Sequence, residues 1–586
     1  MSAVMEVCES SAKYLSALHP PLVKHFNLIA TAPDGVARLR ELILALAVRG
    51  RLVQQDPSDE PASKLLKKIH AEKSLLVAEG KRKSDKPLAD IAEDEMPFGL
   101  PPGWQWAQLG KITTQVTDGT HHTPKYLQSG VAFISVKDID GKTVSFADCK
   151  FISVEEHRQI NARCCPERGD LLLCRIGTLG RPTLVDTDRP FSLFVSVGLL
   201  KLPKSCNISS YFHLAMKSPL LVAQYDAIKA GGSHTNKLNL GDIPRLLLPI
   251  PPLGEQSRIV ARVEELMRLC DALEAKGQLE AAQHAQLVQT LLGALTASTS
   301  PEELAENWRH VATHFDLLLD RPEAIDALEQ TILQLALRGL LVPQDPTDEP
   351  ASALLQKIRA EKDRLISEDK IKRDKPMSSV VDADVPFLLP SGWTWVRFDE
   401  LIHPLKPIAY GVLVPGPDVE AGVPFVRIAD LSIDMPAPLP EKSIGHDIDR
   451  QFQRTRLEGG EILMGVVGSI GKLGVAPPTW AGANIARAIC RIVPADSGLK
   501  DFVLFLLQTD FMHKNFAGDT RTLAQPTLNI GLIRQALTPV PPPAEQARIV
   551  ARVESLRGVC AELRQRLAVG QTTKTYLAEA LIGEVT

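Results

Sequence analysis

The chain has little cysteine for its length, and none of it is patterned. Nine cysteines in 586 residues are unevenly spaced, form no CxxC pair and give no disulfide framework. Cys164 and Cys165 are adjacent, which suits neither a disulfide to each other nor a zinc site. No apolar run reaches the roughly 18 residues that a membrane helix needs. The N-terminus, MSAVMEVCESSAKYLSALHP, lacks a basic segment followed by an apolar block, so no signal peptide is expected and the cytoplasm is the expected compartment. No GxGxxG opens a strand–helix–strand unit, and no Asn-Pro-Pro-Tyr motif of an adenine methyltransferase is present. The closest approach to a P-loop, GVVGSIGKL, spaces Gly465 and Gly471 one residue too wide and has Leu473 where Ser or Thr is required. Asp138, Asp140 and Lys142 suggest a nuclease cluster, but the matching stretch keeps only Asp430, with no Lys at the same distance. No catalytic residues, metal ligands or bound cofactor are therefore expected on this chain.

Basic excess is also missing. The net charge is −4, which argues against a generic nucleic-acid binder. Locally, residues 105–250 carry roughly five more basic than acidic side chains, while residues 394–540 are close to neutral. One segment can offer a phosphate-binding face. The other needs well-placed groups or a partner's help.

What is present is a duplication. Residues 50–104 begin GRLVQQDPSDEPASKLLKKIHAEK and end LPPGW; residues 339–393 begin GLLVPQDPTDEPASALLQKIRAEK and end LPSGW. Aligned without a gap, 31 of 55 positions are identical. Residues 253–273 (LGEQSRIVARVEELMRLCDAL) and 543–563 (PAEQARIVARVESLRGVCAEL) repeat in the same way. The offsets are 289 and 290 residues, so the chain is a tandem copy of one large unit.

Six segments follow. Residues 1–35 form an arm of little pattern. Residues 36–104 hold a helix over 36–50, stopped by Gly50, a turn, and a second helix over 61–80 with Pro61 near its first turn. In residues 105–252 short apolar runs alternate with Gly and Pro turns, as in a mixed α/β domain. Residues 253–393 carry a long helix over 255–296, a linker, helices over 325–339 and 350–369, and a turn at 343–350 between them. Residues 394–542 are the counterpart of 105–252, and residues 543–586 are a second long helix. The two α/β domains differ far more from each other than the helical segments flanking them do. The frame was kept and the inserts changed.

The long helices carry heptad seams. The first runs through Ile259, Val263, Leu266, Cys270 and Leu273, weakens through Gly277, Glu280 and His284, and continues at Leu287, Leu291 and Ala294. The second runs through Ile549, Val553, Leu556, Cys560, Leu563 and Leu567, weakens at Gly570 and Lys574, and continues at Leu577 and Leu581. About 40 helical residues span roughly 60 Å. Matched seams of equal length imply antiparallel pairing, as an alternative to two separate surface helices. The expected fold is mixed α+β: two α/β domains separated by a coiled-coil spacer, with an internal pseudo-two-fold. The last helix lacks downstream partner helices, and these stand at the N-terminus, so the two ends are expected to meet.

These words resemble the specificity subunit of Type I restriction–modification systems. LVQQDPSDEPASKLL with LPPGWQW, LVPQDPTDEPASALL with LPSGWTW, PPLGEQSRIVARVE and PPPAEQARIVARVE carry the resemblance. Within the heads so do GVAFISVKDID, GVPFVRIADLSID, RGDLLLCRIGTLGR and EGGEILMGVVGSIGK. It extends from about residue 36 to the C-terminus. It implies that each α/β domain is a target-recognition domain reading half of a split double-stranded DNA site. It also implies that the helical frame spaces the heads and binds two methyltransferase subunits, with translocase/nuclease subunits joining through it. S-adenosylmethionine, ATP and Mg2+ then belong to those partners. Half-sites separated by a spacer need a fixed ruler.

Candidate readers lie in loops. Gly119 and Gly411 align, each eleven residues before Gly130 and Gly422. This sets Thr117, Asp118, Gly119, Thr120, His121, His122 and Lys125 against the segment around Tyr410. Such loops can place donors against base edges. A metal site or a plain loop is the alternative for His121 and His122, although adjacent His seldom share a metal without a third ligand. Lys137 and Arg427 lie after the next strand in each head, and Arg175 ends the apolar strand before the Gly177–Arg181 turn. The turns with Thr178 and Arg181, and with Ser469 and Lys472, suit a phosphate oxygen, or are simple hairpins. His234, Asn236 and Lys237 in the first head, and Arg521 and Gln525 in the second, complete the set. A scaffold whose heads bind protein is the competing reading. It predicts no salt-dependent DNA binding.

Overall fold

The repeated words meet in space as a buried hydrogen-bonded node, built twice. The computed structural model describes residues 28–80, 87–230, 236–373, 377, 380–381, 384–517 and 527–584. In the first copy Trp104 Nε1 donates to Glu255 Oε2 at 2.9 Å, and Gln55 Nε2 donates to Glu255 Oε1 at 2.6 Å. In the second, Trp393 and Gln344 do the same to Glu545 at 2.9 and 2.6 Å. Arg258 pairs with Asp59 at 2.6 Å and Arg548 with Asp348 at 2.5 Å. Gly50 and Gly339 take φ of 66° and 70°, and a Cβ on either would crowd the indole behind it. Burial pushes the Glu255 and Glu545 carboxyls above the ordinary value, against the pull of their Trp and Gln donors.

The chain divides into two compact units, residues 1–280 with 570–586, and residues 281–569. In the first, helices Gly35–Val48 and Ala62–Ala78 precede the head, and helix Leu253–Ala297 follows it. The core of this unit joins Leu39, Leu46, Ile69, Tyr211, Ile259 and Ala578 in one cluster. Arg38 pairs with Glu579 at 2.8 Å, so helix Gly35–Val48 and the end of the last helix do meet within this unit. In the second, helices Pro322–Leu337 and Ala351–Ser367 precede the head, and helix Pro543–Gly583, up to residue 569, follows it. Its cluster joins Leu295, Leu328, Leu355, Phe502, Ile549 and Cys560.

The heads share one topology despite their divergence. Each holds a four-stranded antiparallel sheet. In the first head the order is Gln115–Asp118, Val197–Lys201, Leu171–Cys174, Gly180–Leu184; in the second it is Ala409–Tyr410, Ile489–Ile492, Ile462–Gly465, Leu473–Val475. Each also has a three-stranded sheet with one parallel pair, Val131–Ile134 beside Phe191–Leu193, or Val423–Val426 beside Asn484–Ile485. A two-stranded ribbon closes each head, Gln105–Gln108 with Leu247–Ile250, or Thr394–Arg397 with Leu537–Val540. The protein is mixed α+β, with two such units and long helices.

Pro61 stands at the N-cap of its helix, beside the first turn. Two expectations need correction. The linker after residue 296 contains a helix, Pro301–Thr313. Ser300 caps it by accepting from the Glu303 N–H at 3.2 Å, and Pro301 occupies its first position. The seams change register past their middle. Ile259, Val263, Leu266, Cys270 and Leu273 are buried, but the next buried residues are Val288, Leu292 and Leu295, while Leu287 is 51% exposed and Leu291 half-buried. The last helix behaves alike: Ile549 and Val553 are buried, Leu556, Leu563 and Leu567 half-buried, Ala578 buried, Leu577 48% exposed and Leu581 half-buried. A straight helix turns every 3.6 residues, so a strict seven-residue repeat drifts off its buried face. Of the expected N-terminal arm, residues 1–27 lie outside the described residues.

Two stability measurements follow. Leu292→Ala is expected to cost about 2–5 kcal/mol in chemical denaturation and Leu287→Ala about 0.5 or less; the reverse order would restore the strict heptad. Trp104→Phe and Trp393→Phe each strip a donor from a buried carboxylate and are expected to cost about 1.5–3 kcal/mol by the same measurement.

Candidate nucleic-acid interface

In both heads the first candidate loop is pinned by its glycine. A Cβ on Gly119 would overlap the Leu193 carbonyl, and one on Gly411 the Ile485 carbonyl. The next N–H uses that contact: Thr120 donates to Leu193 O at 2.9 Å and Val412 to Ile485 O at 2.8 Å. The two loops therefore stand at the same place on the same fold.

Below the first loop lies a buried charge cluster. Asp118 is 1% exposed and accepts from Arg175 Nη1 and, at 3.1 Å, from Arg163 Nη1. His121 Nε2 lies 3.1 Å from the same carboxylate. Arg163 also donates to Thr117 Oγ1 at 2.9 Å and to the carbonyls of Asp118 and Gly119 at 2.9 and 2.7 Å. Arg175 Nε donates to Leu238 O at 3.2 Å. The second head holds the equivalent carbonyl differently. The Tyr410 hydroxyl donates to Leu528 O at 2.8 Å and accepts from the Ile530 N–H at 2.9 Å. Two unrelated solutions anchor the same point, the foot of the last candidate loop.

Burial decides which expected readers face outward. Thr117, Asp118, Gly119, Thr120 and Arg175 are buried, so their expected contact with DNA is corrected: they build the footing of the loop. Lys137 is exposed but bound to Asp138 at 2.8 Å and Asp148 at 3.4 Å. Arg427 is half-buried, with Asp430 at 3.4 Å and Glu441 at 2.9 Å. Lys472 Nζ donates to the Ile428 and Ala429 carbonyls at 2.8 and 3.3 Å. His121, His122, Lys125, Thr178, Arg181, Asn236, Lys237 and Ser469 are exposed. Lys125, Arg181 and Lys237 form no ion pair among the described residues. His122 is held between Thr120 Oγ1, at 2.7 Å, and Glu156. Among the described residues no group of three His, Cys, Asp or Glu is placed to hold a metal. His234, Arg521 and Gln525 lie outside the described residues.

Opposite His121 and His122 the second head presents Leu413 and Val414, 57% and 76% exposed. Sequence reasoning missed Arg163, which stands in no motif. It also missed Arg491, although a lone charge inside the strand AICRIV was a visible signal.

The profile of the Type I restriction modification DNA specificity domain matches residues 116–283. The EcoEI specificity subunit of Escherichia coli is 35% identical over 573 residues, which covers 93% of both chains. The chain belongs to the family of Type I restriction enzyme specificity subunits. The EcoAI specificity subunit, also of Escherichia coli, is 34% identical over 574 residues, again 93% of each. The HsdS subunit from Thermoanaerobacter tengcongensis aligns over 83% of this chain and 98% of its own, at 20% identity and a TM-score of 0.35. As a specificity subunit the chain is a non-catalytic, DNA-recognising component. Among the described residues no helix is long and apolar enough to cross a membrane.

Removing the carboxylate of the buried cluster should unfold more than the loop. Asp118→Ala leaves Arg175 buried without its partner and is expected to cost about 3–5 kcal/mol in urea denaturation. Lys125→Ala, on the same loop but exposed, is expected to stay within about 0.5 kcal/mol. Equal effects would contradict the division into buried footing and exposed loop residues.

Proposed function

We propose that each head reads one half of a bipartite double-stranded DNA site through loops standing on a shared footing. The observation that carries this reading is the match of topology and anchoring between heads whose exposed loop residues differ. One offers His121, His122 and Lys125; the other offers Leu413 and Val414. Histidine and lysine can donate to base edges and phosphates, and apolar side chains can meet the thymine methyl group. Different half-sites follow from different loops on one frame. Thr178, Arg181, Asn236, Lys237 and Ser469 are further candidates from the neighbouring loops, and His234, Arg521 and Gln525 complete the expected set.

The specificity is lent to chemistry done elsewhere. In this reading the chain binds two methyltransferase subunits and, with them, the translocase/nuclease subunits. S-adenosylmethionine, ATP and Mg2+ are used by those partners, in the cytoplasm. Residues 105–252 and 394–542 are the two target-recognition domains, and residues 36–104, 253–393 and 543–586 are the frame. The matched seams support antiparallel pairing of the long helices as the spacer. The family membership of the chain disfavours the protein-binding scaffold.

A methylation map tests this. Co-expression with the methyltransferase subunit in cells lacking adenine methylation is expected to give a split motif of two short specified halves, methylated on both strands and absent without this chain. A stable complex that adds no methylation would return the scaffold reading.

A further inference from the structure

One buried cation in the second head has no carboxylate partner. Arg491 lies in the middle of strand Ile489–Ile492, opposite Leu463 and Ala409, and is only 5% exposed. Its Nη1 donates to the Arg456 carbonyl at 3.0 Å, and its Nε has no hydrogen-bond partner. Among the described residues no carboxylate lies within ion-pair distance. A buried guanidinium left so is costly unless something completes it. Burial pulls its pKa below the usual guanidinium value, and the more distant Glu461 and Glu458 restore only part.

The group faces a cleft. A cavity of about 540 Å³ is lined by Arg491, Arg454, Arg456, Lys406, Glu458 and Tyr410, among others. Arg456 is taken by Asp449, and Lys406 is paired with Glu458 at 2.7 Å. Arg454 is exposed and forms no ion pair among the described residues. Two cations, one buried and one at the surface, are thus left over beside the Tyr410 loop.

The first head shows what satisfaction looks like. There the strand register sets Leu199 at the position of Arg491, both facing residue pairs of the same sheet. The cation comes instead from Lys201. Its Nζ donates to the Cys165 carbonyl at 2.8 Å and is neutralised by Asp170 at 3.0 Å and Glu167 at 3.4 Å. In the second head the carboxylate matching Asp170 is Glu461. It is turned to the N–H groups of Glu458 and Gly459, at 2.6 and 2.9 Å. The acid that would close the pair is occupied elsewhere.

We propose that this cleft is a phosphate seat, with Arg491 as its buried donor and Arg454 as its surface cation. The seat deepens the DNA-reading function and rests on it as to source: the phosphate is that of the DNA backbone or a free phosphate anion. A guanidinium offers a planar fork suited to phosphate oxygens. A single strong seat also answers the near-neutral charge of the second head. It fixes the head on the duplex without reading sequence.

The test uses the full chain in complex with its methyltransferase subunits. Affinity for DNA carrying the mapped site is measured against salt for wild type, Arg454→Gln and Arg491→Met. Because Arg491 is buried, Arg454→Gln is the variant whose fold is not at risk. Each variant is expected to make the slope of log affinity against log salt shallower by about one unit, with the methylation motif unchanged. In parallel, melting of the full chain is compared in inorganic phosphate and in chloride at equal ionic strength. A slope change assigns the seat to the DNA backbone. An unchanged slope, with a phosphate-dependent rise in melting temperature that both variants abolish, assigns it to a free anion. The absence of both effects overturns the seat. If wild type shows no salt-dependent DNA binding, the DNA-reading function itself falls, and the melting comparison alone decides the seat.

Discussion

Everything in this fold hangs on one buried carboxylate, used twice. Glu255 and Glu545 stand at the start of the long helices and receive the indole N–H of the LPxGW word and the amide of the QDP word. A charged acceptor in a hydrogen bond of this kind contributes about 1.5–3 kcal/mol. Its larger effect is geometric. It ties the helical frame before a head to the helix after it, so the entry and exit of each head are fixed while its loops remain free to vary. Burial opposes the charge and the donors restore it, so neither the donors nor the acid can change alone. This explains why the frame words remain nearly identical in the two copies while the heads have diverged.

The heads show the other side of that constraint. Their strand orders agree, and a glycine is demanded at the same point of each by a carbonyl that leaves no room for a Cβ. Beneath that point the solutions part. The first head uses a buried ion cluster around Asp118, and the second uses one tyrosine hydroxyl. The same carbonyl is held in both. Conservation of place with change of chemistry is what a reader of different half-sites requires.

Much of this was legible in the sequence. The duplication located the frame, and the Gly119–Gly411 alignment located the loops, because a backbone clash leaves only glycine. The cap of the 301–313 helix was legible too, in Ser300, Pro301 and Glu303, but its lack of a repeat partner hid it. Two things could not be read. The seam register past residue 273 depends on accumulated helical drift, which a heptad template suppresses. The division of Thr117–Lys125 into buried footing and exposed candidates depends on Arg163 and Arg175, which approach from distant strands and loops. Polar residues in a loop look alike in sequence whether they face solvent or a buried guanidinium.

On the proposed reading the two heads are independent readers on one frame. Exchange of residues 105–250 for the corresponding head of a relative with a different target, followed by remapping of methylation, tests it most directly. One half of the split motif is expected to change while the other half and the spacing stay as they were. A change in both halves, or a change in spacing with both halves intact, would contradict it.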